Sequence, residues 1–267
     1  MTNAQPVLSV QNLQVSVGKE ALVKGINFEI QQGEIFALVG ESGSGKSLTS
    51  LSIMRLLPEV LKISSGAIIF KQQKLFDLTE TQMNSVRGKK IAMIFQEPQT
   101  SLNPVQTIGT QLQEVLQLHQ SIKNSSLQAK LVSLLEEVGI PDPAGRLKWY
   151  PHQLSGGQKQ RIMIAMALAC EPELLVADEP TTALDVTIQR QILELLNDLR
   201  KTRNLSVLLI THDMGVVSEM ADRVAVMQYG EILEQADCKE FFTNPQHAYS
   251  KRLINSLPQS DRFFKAG

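Results

Sequence analysis

The sequence has few cysteines, almost no net charge and no long hydrophobic run, and each of these shortages excludes a class of protein. Among its 267 residues only Cys170 and Cys238 are cysteines. Two are too few for a disulfide framework or a four-cysteine metal site, so we expect a reducing cytosol. The net charge of −1 gives no general attraction to nucleic acid or anionic lipid, and we expect no nucleic-acid partner.

Hydrophobic segments that could enter a membrane are missing as well. No run approaches the roughly 18 apolar residues of a membrane-spanning helix. The first residues, Met-Thr-Asn-Ala-Gln-Pro, offer neither the basic nor the apolar region of a secretory signal, so secretion is not expected. If the protein works at a membrane, it must therefore dock onto a partner that spans it. The length allows a full α/β core with a small inserted subdomain.

A glycine-rich segment at residues 40–47 is the most specific motif. It reads Gly-Glu-Ser-Gly-Ser-Gly-Lys-Ser and fits the pattern G-x-x-x-x-G-K-[ST] of a phosphate-binding loop. An apolar run at 34–39 precedes it and a helical pattern at 48–57 follows, which is the strand–loop–helix context of such loops. In this pattern Lys46 is the charge for the β- and γ-phosphates, and the Ser47 hydroxyl is a ligand of Mg²⁺. The predicted ATP-binding residues are Gly40, Glu41, Ser42, Gly43, Ser44, Gly45, Lys46, Ser47 and Leu48.

A second candidate anion site lies far along the chain, at residues 154–158. It consists of Leu154, Ser155, Gly156, Gly157 and Gln158 and opens a helical pattern. Backbone N–H groups at the start of a helix attract anions. Since one nucleotide needs only one phosphate loop, we expect this segment to contact a nucleotide that another subunit binds.

Two adjacent carboxylates, Asp178 and Glu179, end the apolar run at 174–177. Beside a phosphate loop, Asp178 could hold Mg²⁺ through water, while Glu179 faces the other way and could polarise the attacking water. Taken alone, the same run would equally fit a strand capped by solvated acids. The phosphate loop elsewhere in the chain favours the catalytic interpretation.

Two further polar residues follow apolar runs, and each is a weak signal by itself. His212 comes after the run at 208–211 and could contact the γ-phosphate. A lone histidine is, however, more often a surface residue or the start of a helix. Gln96 comes after the run at 91–95 and could bridge Mg²⁺ and the water while acting as the hinge of a helical insertion.

Alternating apolar runs and helical patterns predict a largely parallel sheet covered by helices. Strands are predicted at 7–17, 26–30, 34–39, 66–70, 91–95, 174–177 and 207–210. Helical spacing predicts a helix at 186–200 and, between Gln96 and Gly156, a helical insertion with helices at 105–120 and 126–138. After Gly230 we expect a short strand and two helices, ending near Leu257.

Taken in order, these motifs resemble those of the ATP-binding cassettes of ABC transporters, over nearly the whole chain. The corresponding motifs are Walker A at 40–47, the Q-loop at Gln96, the signature at 154–158, Walker B at 174–178, the following Glu179, the D-loop Ala183-Leu184-Asp185 and the switch His212. The resemblance implies an α/β fold: a P-loop NTPase (RecA-like) core with an N-terminal antiparallel β-subdomain and an inserted α-helical subdomain. We place the core at 1–95 and 166–235, the helical subdomain at 96–165 and a helical tail at 236–267.

The resemblance also implies the chemistry and the partners. Glu179 would act on the water, and His212, Gln96 and Asp185 would position groups across an interface. ATP and Mg²⁺ are the implied cofactors, with Ser47, Gln96 and Asp178 as metal ligands. The expected partners are a second cassette (an identical chain, a paralogue or a fused half), two membrane-spanning permease subunits and, indirectly, an extracytoplasmic solute-binding protein. The expected location is the cytoplasmic face of the inner (cell) membrane.

A narrower resemblance concerns importers of oligopeptides, dipeptides and nickel. It rests on the segments 95–104, 150–157, 178–187, 210–217, 244–249 and 255–258. Residues 90–98 and 114–119 most resemble the first half of tandem ATPases that serve peptide and microcin C uptake. Val17 departs from the family, which usually places an aromatic residue there to stack on adenine. The chain ends before the cysteine-rich extension that can hold an iron–sulfur cluster in many dipeptide ATPases, so no cluster is implied.

Two alternatives from other functional classes stay open. A soluble ABC ATPase that remodels nucleic acid or ribosomes would be expected to carry a long charged linker, a coiled-coil arm or a basic face, none of which the sequence shows. A regulatory cassette would bind ATP without hydrolysing it. The intact Glu179, His212 and signature argue against that function, whereas Val17 leaves it open. The sequence identifies neither the solute nor the partner cassette, because specificity in such importers resides in other subunits.

Overall fold

The computed structural model describes residues 5–96, 101–120, 124–182 and 184–256. The strands are β1 (Leu8–Val17), β2 (Glu20–Ile30), β3 (Ile35–Val39), β4 (Leu61–Phe70), β5 (Gln73–Lys74), β6 (Ile91–Ile94), β7 (Leu174–Asp178), β8 (Ser206–Thr211), β9 (Arg223–Gln228) and β10 (Glu231–Asp237). The helices are α1 (Lys46–Met54), α2 (Glu80–Asn84), α3 (Ile108–His119), α4 (Asn124–Glu137), α5 (Pro143–Arg146), α6 (Gly156–Leu168), α7 (Val186–Arg203), α8 (Met214–Met220), α9 (Cys238–Thr243) and α10 (Ala248–Asn255). The described residues form two compact units, one from 5–83 and 204–256 and the other from 84–203.

The first unit contains an antiparallel sheet with the strand order β2-β1-β4-β5. β1 pairs with both β2 and β4, so that Leu8 lies opposite Ile30 on one side and Phe70 on the other. Buried and exposed residues alternate along much of β2, as expected for a sheet with one solvated face. The antiparallel β-subdomain that the sequence implied is therefore confirmed.

The first unit also contains a parallel arrangement, in which β3 pairs with β8 on one side and β9 on the other. β10 lies antiparallel beside β9. Every residue of β3 and β8 is buried, which is the pattern of parallel strands covered on both faces. A buried cluster joins β3 to the helices α8, α9 and α10 and includes Ala37, Val39, Val217, Phe241 and Tyr249. This cluster fixes the strand from which the phosphate loop emerges.

The second unit combines the parallel strand pair β6–β7 with the helices α3 to α7. α3 buries Ile108, Leu112 and Leu116, which recur every four residues along one face. The helical insertion predicted at 105–120 and 126–138 is confirmed by α3 and α4. The boundaries predicted for a core, a helical subdomain and a tail stay predictions, and residues 97–100, 121–123 and 257–267 of those segments lie outside the described part of the chain.

The helix after the phosphate loop begins and ends earlier than the predicted range 48–57. α1 begins at Lys46, directly after the loop, and ends at Met54. It ends there because Arg55 adopts a left-handed conformation with φ of 53°, in which its N–H caps the Leu51 and Ser52 carbonyls. The loop and the helix therefore overlap in sequence, and Lys46, Ser47 and Leu48 of the predicted binding residues lie in the first turn of the helix.

Two strands begin earlier than predicted, and each contains a glycine at its predicted start or just before it. β2 begins at Glu20 and not at residue 26, and β4 begins at Leu61 and not at residue 66. Gly66 has a φ of +95°, and a Cβ atom there would lie 2.3 Å from the Asn12 carbonyl oxygen. The glycine thus permits a close strand approach, and it does not mark a turn.

β9 was missed at the sequence level. Its central residues Val224, Ala225, Val226 and Met227 are all buried, so no alternation marks the segment as a strand. A short buried run cannot be distinguished from a helix segment by periodicity.

Among the described helices, none has the length and hydropathy needed to cross a membrane.

Candidate nucleotide site

The phosphate loop lies between β3 and α1 in the first unit, and close contacts require two of its glycines, Gly40 and Gly45. A Cβ atom at Gly40 would lie 2.1 Å from the Met227 carbonyl oxygen. At Gly45, where φ is +108°, a Cβ atom would lie 2.7 Å from the Met227 methyl group and 3.3 Å from the Leu22 carbonyl oxygen. Larger residues at either position would therefore push the loop away from β9, which makes glycine necessary at both.

Lys46 points back into its own loop. Its Nζ donates hydrogen bonds to the main-chain oxygens of Gly40 at 2.7 Å and Glu41 at 2.9 Å. The residue is 5% exposed, so these oxygens compensate the cost of burying the ammonium group. The charge is thereby held at the centre of the loop, where a bound phosphate would meet it.

Backbone hydrogen bonds fix the rest of the loop in place. The Gly230 N–H donates to the Ser44 carbonyl at 3.0 Å, and the Thr49 hydroxyl donates to the Gly45 carbonyl at 3.0 Å. The Glu41 N–H donates to the Tyr249 hydroxyl oxygen at 3.2 Å. Ser42, Gly43 and Ser47 are exposed, and Leu48 is half-buried. The loop is therefore ordered by its neighbours while its outer residues face solvent.

His212 stands beside the start of the phosphate loop. β3 and β8 pair in parallel with Val39 opposite Thr211, so the next residues, Gly40 and His212, leave the sheet at the same edge. His212 is exposed. The following Asp213 caps α8 by accepting the Gly215 N–H at 2.8 Å. The cap fixes the turn that presents the imidazole.

Gln96 and Glu179 meet in the second unit. β6 and β7 pair in parallel with Ile94 opposite Ala177, so both residues follow strands at one edge. The Gln96 Nε2 donates to Glu179 Oε2 at 3.0 Å, and the Thr182 hydroxyl donates to the same oxygen at 2.8 Å. Glu179 has a φ of +47°, an uncommon conformation for a non-glycine residue. A strained backbone conformation of this kind persists only where the surrounding structure holds the residue in place. Such conformations often occur at functional sites.

Asp178 and Asp185 flank Glu179. Asp178 ends β7 and is 4% exposed. Asp185 accepts the Ile188 N–H through its carboxylate at 3.0 Å and so caps α7. Capping is a structural role that the sequence did not assign to Asp185, whose catalytic role stays a prediction. Ala183 of the predicted D-loop lies outside the described residues.

The signature segment forms the N-terminus of α6. Ser155 is the N-cap, and its hydroxyl accepts the Gln158 N–H at 3.3 Å while Gln158 Oε1 accepts the Ser155 N–H at 3.1 Å. This reciprocal capping box fixes the first turn of the helix. Leu154 is buried just before it, whereas Ser155 and Gly156 are exposed. The turn thus offers a hydroxyl and helix-terminal N–H groups to solvent.

The structure reveals two contributors to this unit that the sequence did not single out. Gln160, on α6, is 1% exposed and donates from Nε2 to the Pro180 carbonyl at 2.5 Å, which joins the signature helix to the residue after Glu179. Thr182 holds the Glu179 carboxylate itself. Thr182 had a sequence signal, since it lies three residues after Glu179, but nothing local connects Gln160 with Pro180.

The donor atoms suit Mg²⁺ more than a transition metal. Ser47, Gln96 and Asp178 offer hydroxyl, amide and carboxylate oxygens, which are the ligands that hard cations prefer. Within the described residues, no group of three or more His, Cys, Asp or Glu could hold a metal by itself. Mg²⁺ commonly binds through one or two side chains together with substrate phosphates. Taken one by one, the three predicted ligands are therefore of the kind that suits Mg²⁺.

Curated relatives of the chain are transport ATP-binding proteins. It is 53% identical over 262 residues to the dipeptide transport ATP-binding protein DppD of Bacillus subtilis, with 96% of this chain and 78% of the relative covered. It is 49% identical over 263 residues to the oligopeptide transport ATP-binding protein OppD of the same organism, with 97% and 74% covered. With the peptidoglycan transport ATP-binding protein YejF of Agrobacterium fabrum it shares 51% identity over 265 residues, which span 97% of this chain and 48% of that protein.

Solved structures share the fold, and a family model matches a large part of the chain. The dimeric ATP-binding cassette MJ0796, bound to ADP and Pi, gives a TM-score of 0.76 at 28% identity, with 86% of this chain and 98% of that chain covered. The protein cbiO1 of Clostridium perfringens, part of the ABC transporter complex cbiONQ, gives 0.79 at 27% identity, with 96% and 97% covered. The family described as ABC transporter matches residues 23–182. Since this match covers more than half of the sequence, the chain belongs to the ABC transporter family.

Proposed function

We propose that the chain is the ATP-hydrolysing subunit, or half, of an ABC importer that takes up peptides or related solutes through partner membrane subunits. One observation carries the proposal: a phosphate loop with an inward-pointing lysine, a Glu179 carboxylate held by Gln96, and an exposed signature turn all occur in one chain. The dipeptide and oligopeptide transport proteins named above support the solute class.

Binding begins at the phosphate loop. Backbone N–H groups at the start of α1, together with Lys46, attract the β- and γ-phosphates, because the helix terminus and the ammonium are both positive. The Ser47 hydroxyl, with Asp178 and Gln96, would hold Mg²⁺, which neutralises charge on the phosphate oxygens when bound. The outer loop residues are exposed, so a nucleotide can reach them from solvent.

Hydrolysis requires a water that is aligned with the γ-phosphate. Glu179 orients this water and draws off its proton, while Gln96 and Thr182 keep the carboxylate in position. His212, at the same sheet edge as the phosphate loop, contacts the γ-phosphate and responds to its loss. Asp185 positions groups at the interface with a second cassette.

The signature turn acts on the nucleotide of a partner cassette. Two cassettes pair head to tail, and the exposed Ser155 and Gly156, with the N-terminus of α6, complete the phosphate cage of the opposite site. Two permease subunits span the membrane, and a solute-binding protein acts on its far side. The chain itself works at the cytoplasmic face of the cell membrane, and the helical insertion passes closure to the permeases.

Val17 bears on how strongly the site distinguishes between nucleobases. It lies at the end of β1 and is 37% exposed, at the position where related cassettes usually stack an aromatic ring on adenine. An aliphatic side chain offers less stacking than an aromatic one. We therefore expect weak discrimination between ATP and GTP, which competition binding will measure directly.

The decisive experiment measures ATPase rate against protein concentration. A site that is completed by a second cassette gives a steeper than linear dependence at low concentration. Co-purification with permease subunits then tests the transport role. A linear dependence at all concentrations contradicts the shared site, and an absence of ATP hydrolysis by the permease-bound complex contradicts the enzymatic role.

A further inference from the structure

A tyrosine near the end of the described chain contacts the phosphate loop. Tyr249 lies in the first turn of α10, and its hydroxyl oxygen accepts the Glu41 N–H at 3.2 Å. Glu41 is the second residue of the loop and lies two positions after Val39, the last residue of β3. No ATP-binding motif reaches position 249, so this contact adds an element to the site.

The backbone before Tyr249 is fixed by a carboxylate on β10. The Gln246 and His247 N–H groups donate to the two oxygens of Glu234, each at 2.8 Å. His247 then caps α10, because its Nδ1 accepts the Tyr249 N–H at 3.1 Å. The start of α10 is therefore tied both to the sheet and to itself, which leaves the tyrosine little freedom to move.

The Tyr249 ring is anchored in the buried cluster that also holds the end of β3. Tyr249 is 2% exposed and shares this cluster with Ala37, Val39 and Val217. Val39 immediately precedes the loop. The ring thus packs with the strand from which the loop emerges, while the hydroxyl reaches the loop, and both ends of the contact belong to rigid elements.

Burial and the charge at Glu41 both favour the protonated phenol of Tyr249. Burial raises the pKa of Tyr249 above its ordinary value of 10, and the Glu41 carboxylate raises it further, against the lowering effect of the Glu41 N–H. At neutral pH the hydroxyl therefore keeps its proton and can both accept from the N–H and interact with the carboxylate.

We propose that Tyr249 is a positioning residue for nucleotide binding: its hydroxyl fixes the start of the phosphate loop, so that the segment from Asn244 to Asn255 sets the affinity of the loop for ATP. The inference rests on the proposed ATP-binding function. It also gives a role to the sequence Asn-Pro-Gln-His-Ala-Tyr at 244–249, which the ATPase motifs leave unexplained.

The test compares Tyr249→Phe with the matched control Tyr229→Phe in the full chain. Tyr229 is 75% exposed, so its hydroxyl is expected to be dispensable. Loss of one hydrogen bond of about 0.5–1.5 kcal/mol corresponds to an ATP dissociation constant about 2- to 12-fold higher for Tyr249→Phe. The same bond also contributes to folding, so the melting temperature without nucleotide should fall by no more than about 6 °C, while kcat at saturating ATP should stay near the wild-type value. A lower melting temperature with unchanged ATP affinity would make the contact merely structural and overturn the proposal.

A second variant removes the same hydrogen bond from the other side. Glu41→Pro deletes the N–H donor, so adding Tyr249→Phe to it should weaken ATP binding no further. Additive losses would contradict a shared contact. If either variant fails to fold, the other single variant still decides, because each deletes the same bond. Failure of the wild-type chain to bind ATP would refute the proposed function, whereas wild-type affinity in Tyr249→Phe refutes only this inference.

Discussion

Gln96 and Glu179 are joined by a hydrogen bond, in which the amide nitrogen donates to the carboxylate at 3.0 Å. Thr182 donates to the same oxygen. The residues come from the ends of two neighbouring parallel strands and from the turn that follows one of them. The proposed catalytic carboxylate is thus held in a strained backbone conformation by two neutral donors.

Replacing the carboxylate tests its role. Glu179→Gln keeps the shape of the side chain but cannot take up a proton, so we expect ATP binding to persist and turnover to fall by about 10²-fold or more. The variant should also accumulate as an ATP-bound dimer in size-exclusion chromatography. Glu219→Gln, an exposed position, serves as the control. Hydrolysis at a near-normal rate would remove Glu179 from the central role.

Thr182 offers a milder test of the same carboxylate. Thr182→Val removes the hydroxyl donor while keeping the volume, and Thr182→Ser keeps the donor. We expect kcat to fall by about 3- to 30-fold in the valine variant, since hydrogen bonds to charged groups contribute up to about 3 kcal/mol and water replaces part of the loss. The serine variant should stay close to wild type. Equal losses in both variants would show that packing, and not the hydroxyl, matters.

The two signature glycines should respond differently to substitution. A Cβ atom at Gly156 would lie 3.7 Å from Leu184, an ordinary contact, whereas at Gly157 it would lie 2.7 Å from an Ile188 methyl group. We therefore expect Gly156→Asp to fold normally and bind ATP as a monomer, yet to lose hydrolysis. Gly157→Ala should lose about 1–3 kcal/mol of stability through overpacking. Thermal unfolding and single-site ATP binding separate the two outcomes, and a loss of monomer ATP binding in Gly156→Asp would contradict the shared site.

The pKa of Glu234 links stability to pH. Burial raises it, but the Gln246 N–H, the Ser250 side chain and the His247 N–H together outweigh this effect, so the pKa lies below its ordinary value of 4.5. A depressed carboxylate pKa stabilises the fold above pH 4.5, and this contribution is lost as the pH falls through the folded-state pKa. Glu234→Gln should therefore lower the free energy of unfolding by up to about 1 kcal/mol at neutral pH and by less in acid. Urea unfolding of both proteins at neutral pH and in acid measures this difference. An equal loss of unfolding free energy under the two conditions would exclude a charge effect.

Both cysteines should resist thiol reagents in the folded protein. Burial raises the pKa of Cys238 to about 12 and also raises that of Cys170 above its ordinary value of 9.0. Their exposed fractions are only 4% and 6%. We expect slow labelling at mildly alkaline pH and fast labelling of both thiols in urea. Rapid labelling of either thiol under native conditions would show that the surrounding helices open locally.

The phosphate loop was predictable because anion binding restricts residue choice within a short segment. Close backbone approach requires glycine at 40 and 45, and the phosphates require a lysine at 46, so the pattern is local. The signature turn and the two carboxylates at the end of β7 are also short local patterns, and their roles in the reaction stay predictions. The contact between Glu41 and Tyr249 was not, because 208 positions separate them along the chain. The Gln160–Pro180 bond likewise depends on how a helix packs, which no local pattern encodes.

The way Lys46 is held has a consequence for mutational tolerance. Lys46 donates to the main-chain oxygens of Gly40 and Glu41 and, at 3.4 Å, to the Ser44 hydroxyl. Side-chain replacements at Glu41 and Ser42 should therefore leave the lysine where it is. In a saturation mutagenesis library scored for growth on peptides, most substitutions at Glu41 and Ser42 should be tolerated. Substitutions at the glycines and the lysine of the phosphate loop should not be tolerated. The phosphate-loop pattern accepts any residue at the x position of Glu41, because the contact with Lys46 there is made by the main chain.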